Sequence, residues 1–248
     1  MNRKNVIKNL IIMIALLAIF NLGYGMTGDE ILKKVDENIT PNSIKYNGEM
    51  IIFKRGRKYT KKMKIYGKGT EKSFVEFTYP SRDKGTKYLR IGDNMWMYLP
   101  KANRTVKISG HMLRQSMMGS DFSYEDQTNR NKLYDIYNSK VKEETKDFYL
   151  LELVVKKGVE TSYYKRLIWI GKTNFNLIKE EMYAVSGKLL KAMTVLKNDI
   201  IDGKYYPSDI KMEDKIKKNS YTEIIMKDIE LDVNIKDSMF TLRALERK

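Results

Sequence analysis

The sequence predicts a mainly β protein of the α+β class, built on one antiparallel sheet with a few short helices. From Ile44 onward, apolar residues recur at every second position, which is typical of half-buried strands. Turn signals separate these runs at short intervals, and only four prolines interrupt the 248 residues. A chain of this length can bury one sizeable core. Residues 26–248 are therefore expected to form a single domain.

The first 25 residues have the pattern of an export signal. Arg3, Lys4 and Lys8 precede an apolar run over residues 10–20, and the small residues Gly23 and Gly25 follow it. This order predicts a signal peptide cleaved after Gly25, and hence a periplasmic protein. An uncleaved membrane anchor is the alternative, but the run is shorter than the roughly 20 apolar residues that span a bilayer.

Helical spacing occurs in two other places. Ile31, Leu32 and Val35 predict a helix over residues 29–39, capped by Thr27 or Asp29 and ended before Pro41. Residues 109–119 predict a short amphipathic helix inserted between strands, with Ser109 as N-cap and Gly119 as its end. A further short helix is expected over residues 131–137.

Alternating runs predict the strands of an antiparallel meander. In the first half they lie near residues 44–52, 63–66, 74–79, 88–91, 95–99 and 106–108. In the second half they cover residues 148–155, 163–170, 177–185, 188–196, 205–212 and 221–233, with a last short strand at 239–242.

The residues that carry most enzyme and metal chemistry are scarce. His111 is the single histidine, no cysteine occurs, and neither a Gly-x-Ser-x-Gly elbow nor a phosphate loop is found. Asp121, Glu125 and Asp126 form the tightest acidic cluster, but they lack the alternating spacing of a calcium loop. We interpret them as caps and loop hydrogen-bond acceptors around Ser123. The sequence therefore predicts no enzyme, no cofactor and no metal site.

The charge balance favours anionic partners. The chain has 47 basic and 31 acidic residues, a formal net charge of +16. Phospholipid headgroups, lipopolysaccharide and nucleic acid would all suit such a surface. The basic stretch over residues 54–62 could contact nucleic acid, but a solvated hairpin is the commoner reading, and an exported protein meets lipids rather than nucleic acid. A general lysine-rich bias of the source would produce the same charge.

Methionines and aromatic residues raise the question of a ligand cavity. Fifteen methionines is a high count, and flexible methionine side chains conform to irregular apolar ligands. Met112, Met117 and Met118 concentrate in the inserted segment, while Trp96, Tyr98, Tyr163 and Trp169 lie in strands where they could form walls. Composition alone favours an ordinary core over a cavity.

Residues 85–100 and their continuation over 108–126 resemble a signature of the LolA-like outer-membrane lipoprotein-sorting proteins. The ending Asp237-Ser238-Met239-Phe240-Thr241-Leu242 is also similar to that family. The resemblance implies a strongly curved antiparallel sheet, or unclosed β-barrel, with short helices as a lid over its concave face. It also implies a periplasmic carrier, a chaperone that binds lipoprotein acyl chains or other lipids in an apolar cavity.

Partners follow as expectations from the same resemblance, and candidate site residues follow from residue type placed on the fold that it implies. The lid is expected to consist of Met112, Leu113, Met117, Met118 and Phe122, and the cavity wall to include Trp96, Tyr98 and Trp169. An inner-membrane donor and an outer-membrane acceptor protein are expected, with peripheral contact to anionic membrane. Carriers of this family hold the lid with an arginine, for which Arg90, Arg104 and Arg114 are candidates. An envelope binding or stress-sensing module is the alternative function, and a hydrolase dependent on His111 is the third.

Overall fold

A computed structural model describes residues 25–128 and 133–247 and contains one 13-stranded antiparallel sheet. The predicted signal peptide lies outside the described residues apart from Gly25. The strands are β1 (Ser43–Lys54), β2 (Arg57–Lys68), β3 (Lys72–Tyr79), β4 (Lys87–Ile91), β5 (Asn94–Leu99), β6 (Arg104–Ile108), β7 (Tyr137–Glu144), β8 (Phe148–Val155), β9 (Lys165–Gly171), β10 (Leu177–Tyr183), β11 (Leu189–Ile201), β12 (Lys204–Asp214) and β13 (Ser220–Leu231). The helices are α1 (Gly28–Ile39), α2 (Tyr124–Thr128), α3 (Leu133–Ile136) and α4 (Leu242–Glu246).

The strand order confirms the predicted unclosed barrel. The sheet is curved but open, and it runs β6-β5-β4-β3-β2-β1-β13-β12-β11-β10-β9-β8-β7. The first and last strands of the chain, β1 and β13, therefore pair in the middle, and β6 and β7 form the two free edges. Because residues 109–136 join β6 to β7, this connection has to pass from one edge of the open sheet to the other.

Helix α1 begins with the predicted Thr27 cap. The Thr27 hydroxyl accepts from the Glu30 amide, and the Glu30 carboxylate accepts from the Thr27 amide, which forms a capping box. Ile31 and Leu32 are buried, and α1 contacts β7 and β12. The helix therefore covers part of one face of the sheet, which we call the inner face.

The two faces of the sheet have separate apolar clusters. The inner-face cluster includes Met63 and Ile65 of β2 together with the buried side of α1. The outer-face cluster packs Phe74 and Leu89 against the C-terminal segment over residues 235–245. Apolar residues therefore face both sides in this half of the sheet.

Two predicted elements are wrong. Residues 109–119 form two short 3₁₀ turns, Gly110–Arg114 and Met117–Gly119, and the Ser109 side chain makes no capping bond. Positive φ angles at Gly110 and Met118 interrupt an α-helix there. The predicted strand over 239–242 is a 3₁₀ turn, Asp237–Met239, followed by α4, whose cap Thr241 accepts from the Ala244 amide.

Some boundaries also differ from the prediction. The helix expected over 131–137 is described only as α3, Leu133–Ile136, and Tyr137 already belongs to β7. Strand β7 was not predicted, because it is an edge strand whose lysines and glutamates obscure the alternation. Among the helices within residues 25–128 and 133–247, none has the length and apolarity that a membrane span requires.

Candidate functional site: a plugged cavity on the inner face

The segment over residues 115–126, which we call the plug, is folded back on itself. The Met117 amide donates to the Phe122 carbonyl at 2.8 Å, and Ser116 pairs with Ser123 as an isolated β-bridge. Met118 and Gly119 at its tip have φ angles of 54° and 81°. Because the backbone bonds within the segment, the plug has a defined shape and can present side chains to the sheet.

Met117 and Phe122 of the plug close a cavity against the inner face. The cavity has a volume of about 170 Å³, and both side chains are buried. Its apolar lining comes from six strands around the β1–β13 pair and includes Ile44, Met63, Ile65, Val75, Met95, Ile210, Ile224 and Met226. Phe122 also lines a smaller space of about 30 Å³ beside Met193 and Met212. Phe122 therefore lies between this apolar cavity and a smaller space of mixed lining, to which Asp126, Arg166 and Glu180 also contribute.

The plug is fastened to β13 by the buried carboxylate of Asp121. Its oxygens accept from the Thr222 hydroxyl at 2.8 Å and from the Ser220 hydroxyl at 2.7 Å. The Asp121 amide in turn donates to the Thr222 oxygen at 2.9 Å. Lys217 lies 3.7 Å from the carboxylate. One buried side chain thus ties the plug to the strand in the middle of the sheet.

Two further carboxylates fasten the other end of the plug. Asp126 accepts from the Tyr163 hydroxyl at 2.7 Å and pairs with Lys191 of β11 at 2.6 Å. Burial alone would raise the pKa of Asp126. The positive charge of Lys191 and the hydrogen bonds that the Asp126 carboxylate accepts outweigh burial and hold its pKa below the usual value. Glu125 accepts from the Ser162 amide at 2.9 Å. The predicted bonding around Ser123 is also present, because its amide donates to Asp126 at 2.6 Å.

A buried ion pair lies below this end of the plug. Arg166 of β9 donates to Glu180 of β10 and, at 3.0 Å, to the Tyr137 hydroxyl. Burial would lower the pKa of Arg166, but Glu180 and Tyr137 outweigh it, so the pKa is raised and the guanidinium stays charged. The guanidinium also stacks over the Tyr163 ring, 4.9 Å from its centroid. The ion pair is thereby linked to Asp126 through Tyr163.

The structure brings the predicted lid residues together only in part. Met117 and Phe122 line the cavity, whereas Met118 lies at the plug tip and lines a different groove. Met112 and Leu113 are partly buried against the inner-face cluster. His111 is exposed, and among the described residues no group of three or more histidine or acidic side chains is placed to hold a metal ion.

The predicted wall residues lie away from the cavity. Trp96 and Tyr98 belong to the outer-face cluster, because Met95 and Met97, at the alternate positions of β5, face inward. Trp169 alternates with the inward residues Ile168 and Ile170 and carries Lys179 over its ring at 4.6 Å. The cavity wall combines aliphatic residues and methionines with the tyrosines Tyr46, Tyr88 and Tyr206, and among the described residues it contains no tryptophan.

The three arginines considered for holding the lid lie in different surroundings. Arg90 lines the cavity and donates to the carbonyls of Gly92 and Thr70, which are not plug residues. Arg104 and Arg114 are exposed. Arg166, Glu180 and Lys191 were not predicted as site residues, although a charged residue at the inward position of an alternating strand is a signal that indicates them.

Comparisons with known proteins agree with this architecture. A family model described as that of an uncharacterized protein matches residues 69–247. No curated protein sequence matches the chain significantly. Among solved structures, a DUF1329 family protein from Desulfovibrio piger is 28% identical with a TM-score of 0.82, over 88% of this chain and 97% of the other.

Two further solved structures are similar over comparable lengths. A LolA superfamily protein from Nitrosomonas europaea is 27% identical with a TM-score of 0.74, covering 89% of this chain and 100% of the other. An outer membrane lipoprotein-sorting protein domain from Vibrio parahaemolyticus is 23% identical with a TM-score of 0.80, covering 89% of this chain and 98% of the other. At that identity the Vibrio structure supports the fold alone.

Proposed function

Because this chain belongs to the LolA-like family of outer-membrane lipoprotein-sorting proteins, we propose that it is a periplasmic carrier of acyl chains. Its cargo is the acyl part of lipoproteins or of other lipids, taken from an inner-membrane donor and released to an outer-membrane acceptor. The acyl chain occupies the inner-face cavity, and the plug acts as the lid. No step requires a catalytic group or a cofactor.

The observation that supports this proposal best is the way the plug is held. Its two apolar side chains fill the middle of the inner face, but its ends are fastened by polar bonds through Asp121, Glu125 and Asp126. Hydrogen bonds to charged groups contribute only about 1.5–3 kcal/mol each to stability, because water can replace the partner. Such bonds hold a segment in place without making it permanent. A plug that only completed the core would gain more from apolar contacts at these positions.

The size of the cavity also favours a moving plug. About 170 Å³ is less than the roughly 300–1,000 Å³ of typical small-molecule sites. If Phe122 moves away, the two spaces that it separates become continuous along the sheet. Each buried CH₂ of an acyl chain contributes about 0.8 kcal/mol. A chain that buries several of them therefore offsets the lost bonds of the plug.

The proposal is tested by filling the cavity with a side chain. Ile65 of β2 lines the cavity and is buried, so Ile65→Trp would occupy the space that an acyl chain needs. Binding of a fluorescent fatty acid to the purified protein is the measurement, with mass spectrometry of lipid that copurifies from the native host. We expect Ile65→Trp to lose acyl binding and copurified lipid at least tenfold, with a stability loss of about 1–3 kcal/mol.

The matched control is Ile200→Trp, the same substitution at an exposed position of β11. It is expected to bind as the unsubstituted protein does. Wild-type affinity in a folded Ile65→Trp protein would place the acyl chain elsewhere and contradict the assignment of this cavity.

A further inference from the structure

A basic groove of about 540 Å³ lies beside the tip of the plug. It is formed by the ends of β1 and β2, by Arg82 of the β3–β4 connection, and by the plug tip. Its residues are Ile52, Lys54, Arg55, Arg57, Tyr59, Lys61, Arg82, Met118 and Gly119. Five cationic side chains therefore line the same groove as an apolar methionine.

The charges of this groove are only partly compensated. Lys61, which is buried, bonds to Asp83, and Arg82 lies 3.6 Å from the same carboxylate. Within the residues that the structure describes, Lys54, Arg55 and Arg57 form no ion pair, and all three are exposed. The groove thus has an excess of positive charge in a concave surface, where the local potential is strongest.

The β1–β2 turn holds one of these arginines in an unfavourable backbone conformation. Arg55 and Gly56 have φ angles of 52° and 74°, which is the turn geometry that asparagine or aspartate followed by glycine prefers. The β11–β12 turn of the same chain uses that preferred pair, Asp202-Gly203, at φ angles of 50° and 77°. The turn itself does not favour arginine at the equivalent place, and Arg55 lines the groove.

We propose that this groove binds the phosphate of an anionic phospholipid at a membrane surface. The planar guanidinium of arginine can donate two parallel hydrogen bonds to phosphate oxygens. Met118 and Tyr59 line the same groove and suit the apolar boundary just below the lipid headgroups. A free phosphate or a nucleic acid would make no use of Met118. Since Met118 belongs to the plug, docking brings a membrane to the element that closes the cavity. The inference concerns membrane binding alone and holds whether or not the cavity carries acyl chains.

The test measures binding of the whole purified chain to vesicles by cosedimentation. One set of vesicles is phosphatidylcholine and the other is phosphatidylcholine mixed with phosphatidylglycerol. The groove variant is Arg55→Asn with Arg57→Ala, in which asparagine suits the turn and keeps the fold. The control is Lys157→Ala with Lys188→Ala, which removes the same charge at two exposed positions outside the groove.

We expect the groove variant to lose about 10- to 30-fold in affinity for the anionic vesicles, and the control to lose less than about twofold. Equal losses in both variants would overturn the proposal, because attraction would then follow net charge. Binding of inorganic phosphate that the groove variant loses, together with equal vesicle binding by the wild type and the groove variant, would also overturn it, since the groove would then be a site for free anions. Binding to phosphatidylcholine alone is expected to be weak in every variant.

Discussion

At the scale of single residues, Asp126 shows how a buried carboxylate can hold a segment reversibly. Its pair with Lys191 is 2.6 Å long, and both side chains are largely buried. Since its pKa in the folded protein is lowered, this stabilisation is present above the unfolded pKa near 3.9 and is lost as the pH falls through the folded value. Acid is therefore expected to loosen the plug.

The substitution Asp126→Asn tests this. We expect the free energy of unfolding at pH 7 to fall by about 1–3 kcal/mol, because Lys191 loses its buried partner. The decline of stability below pH 4 is expected to become shallower. Urea unfolding at several pH values is the measurement. The control is Asp199→Asn, whose pair with Lys197 is equally short but exposed, so a change below about 0.5 kcal/mol is expected.

The pKa of Asp36 on α1 is shifted in the opposite direction, upward. Burial and the nearby charge of Asp135 raise its pKa to about 6. The folded state therefore binds a proton that the unfolded state releases near pH 3.9, and stability falls as the pH rises from about 4 to 6. Asp36→Asn is expected to raise the free energy of unfolding at pH 7 by about 1–2 kcal/mol and to remove this dependence.

The neighbouring Glu37→Gln provides the comparison, because Glu37 is exposed on the same helix. It is expected to leave both the stability and its pH profile unchanged. An unaltered profile in Asp36→Asn would mean that Asp36 is ionised in the folded protein throughout this pH range.

Sequence could predict what the acids of the plug do but not what they contact. Asp121 and Asp126 were expected to accept hydrogen bonds, and their loop bonding around Ser123 was foreseen. Their partners Thr222 and Lys191 lie 65 or more residues away. Only the three-dimensional path of the chain brings such residues together, and no local pattern encodes it.

At the scale of elements, the plug depends on Phe122, which lies between the inner-face cavity and a smaller space lined by both methionines and charged side chains. Phe122→Ala is expected to cost about 3–5 kcal/mol of stability. It is also expected to join the spaces, so that affinity shifts toward longer fatty acids. Isothermal titration with a series of chain lengths would measure the shift. Leu245→Ala on the outer face should cost a similar amount of stability without changing the length preference. An unchanged preference in Phe122→Ala would contradict a continuous groove.

Strand alternation identified most of the sheet, but it could not say which side of each strand faces the cavity. In β5, Met95 and Tyr98 are both buried although they point to opposite faces. A strand covered on both sides is apolar at successive positions. Alternation then shows which residues share a face of the sheet, but not which of the two faces lines the cavity. Trp96, Tyr98 and Trp169 were assigned to the wall on residue type, and the C-terminal segment that covers two of them was read as a strand.

At the scale of the whole molecule, the order of the strands gives the plug its place. The two free edges, β6 and β7, are consecutive in the chain, so the segment between them has to cross the open side of the sheet. The resemblance predicted the unclosed barrel, with which the meander pattern agreed, and a lid, for which the sequence offered an inserted helix where the structure has two 3₁₀ turns. The middle position of the β1–β13 pair was not predictable, because it depends on pairing between the two ends of the domain.

This topology separates the stability of the plug from that of the sheet, and hydrogen exchange can detect the separation. Amides of the plug, such as those of Met117, Asp121 and Ser123, are held by few bonds, whereas Met50 and Ile224 lie in the middle of the continuous sheet. Plug amides are therefore expected to exchange through local opening, faster than sheet amides. A ligand that merely stabilised the native protein would slow exchange everywhere. An acyl chain that replaces Met117 and Phe122 in the cavity should instead speed exchange in the plug while the sheet is unchanged or slower. Uniform slowing on addition of a fatty acid would mean that the plug stays in place when ligand binds.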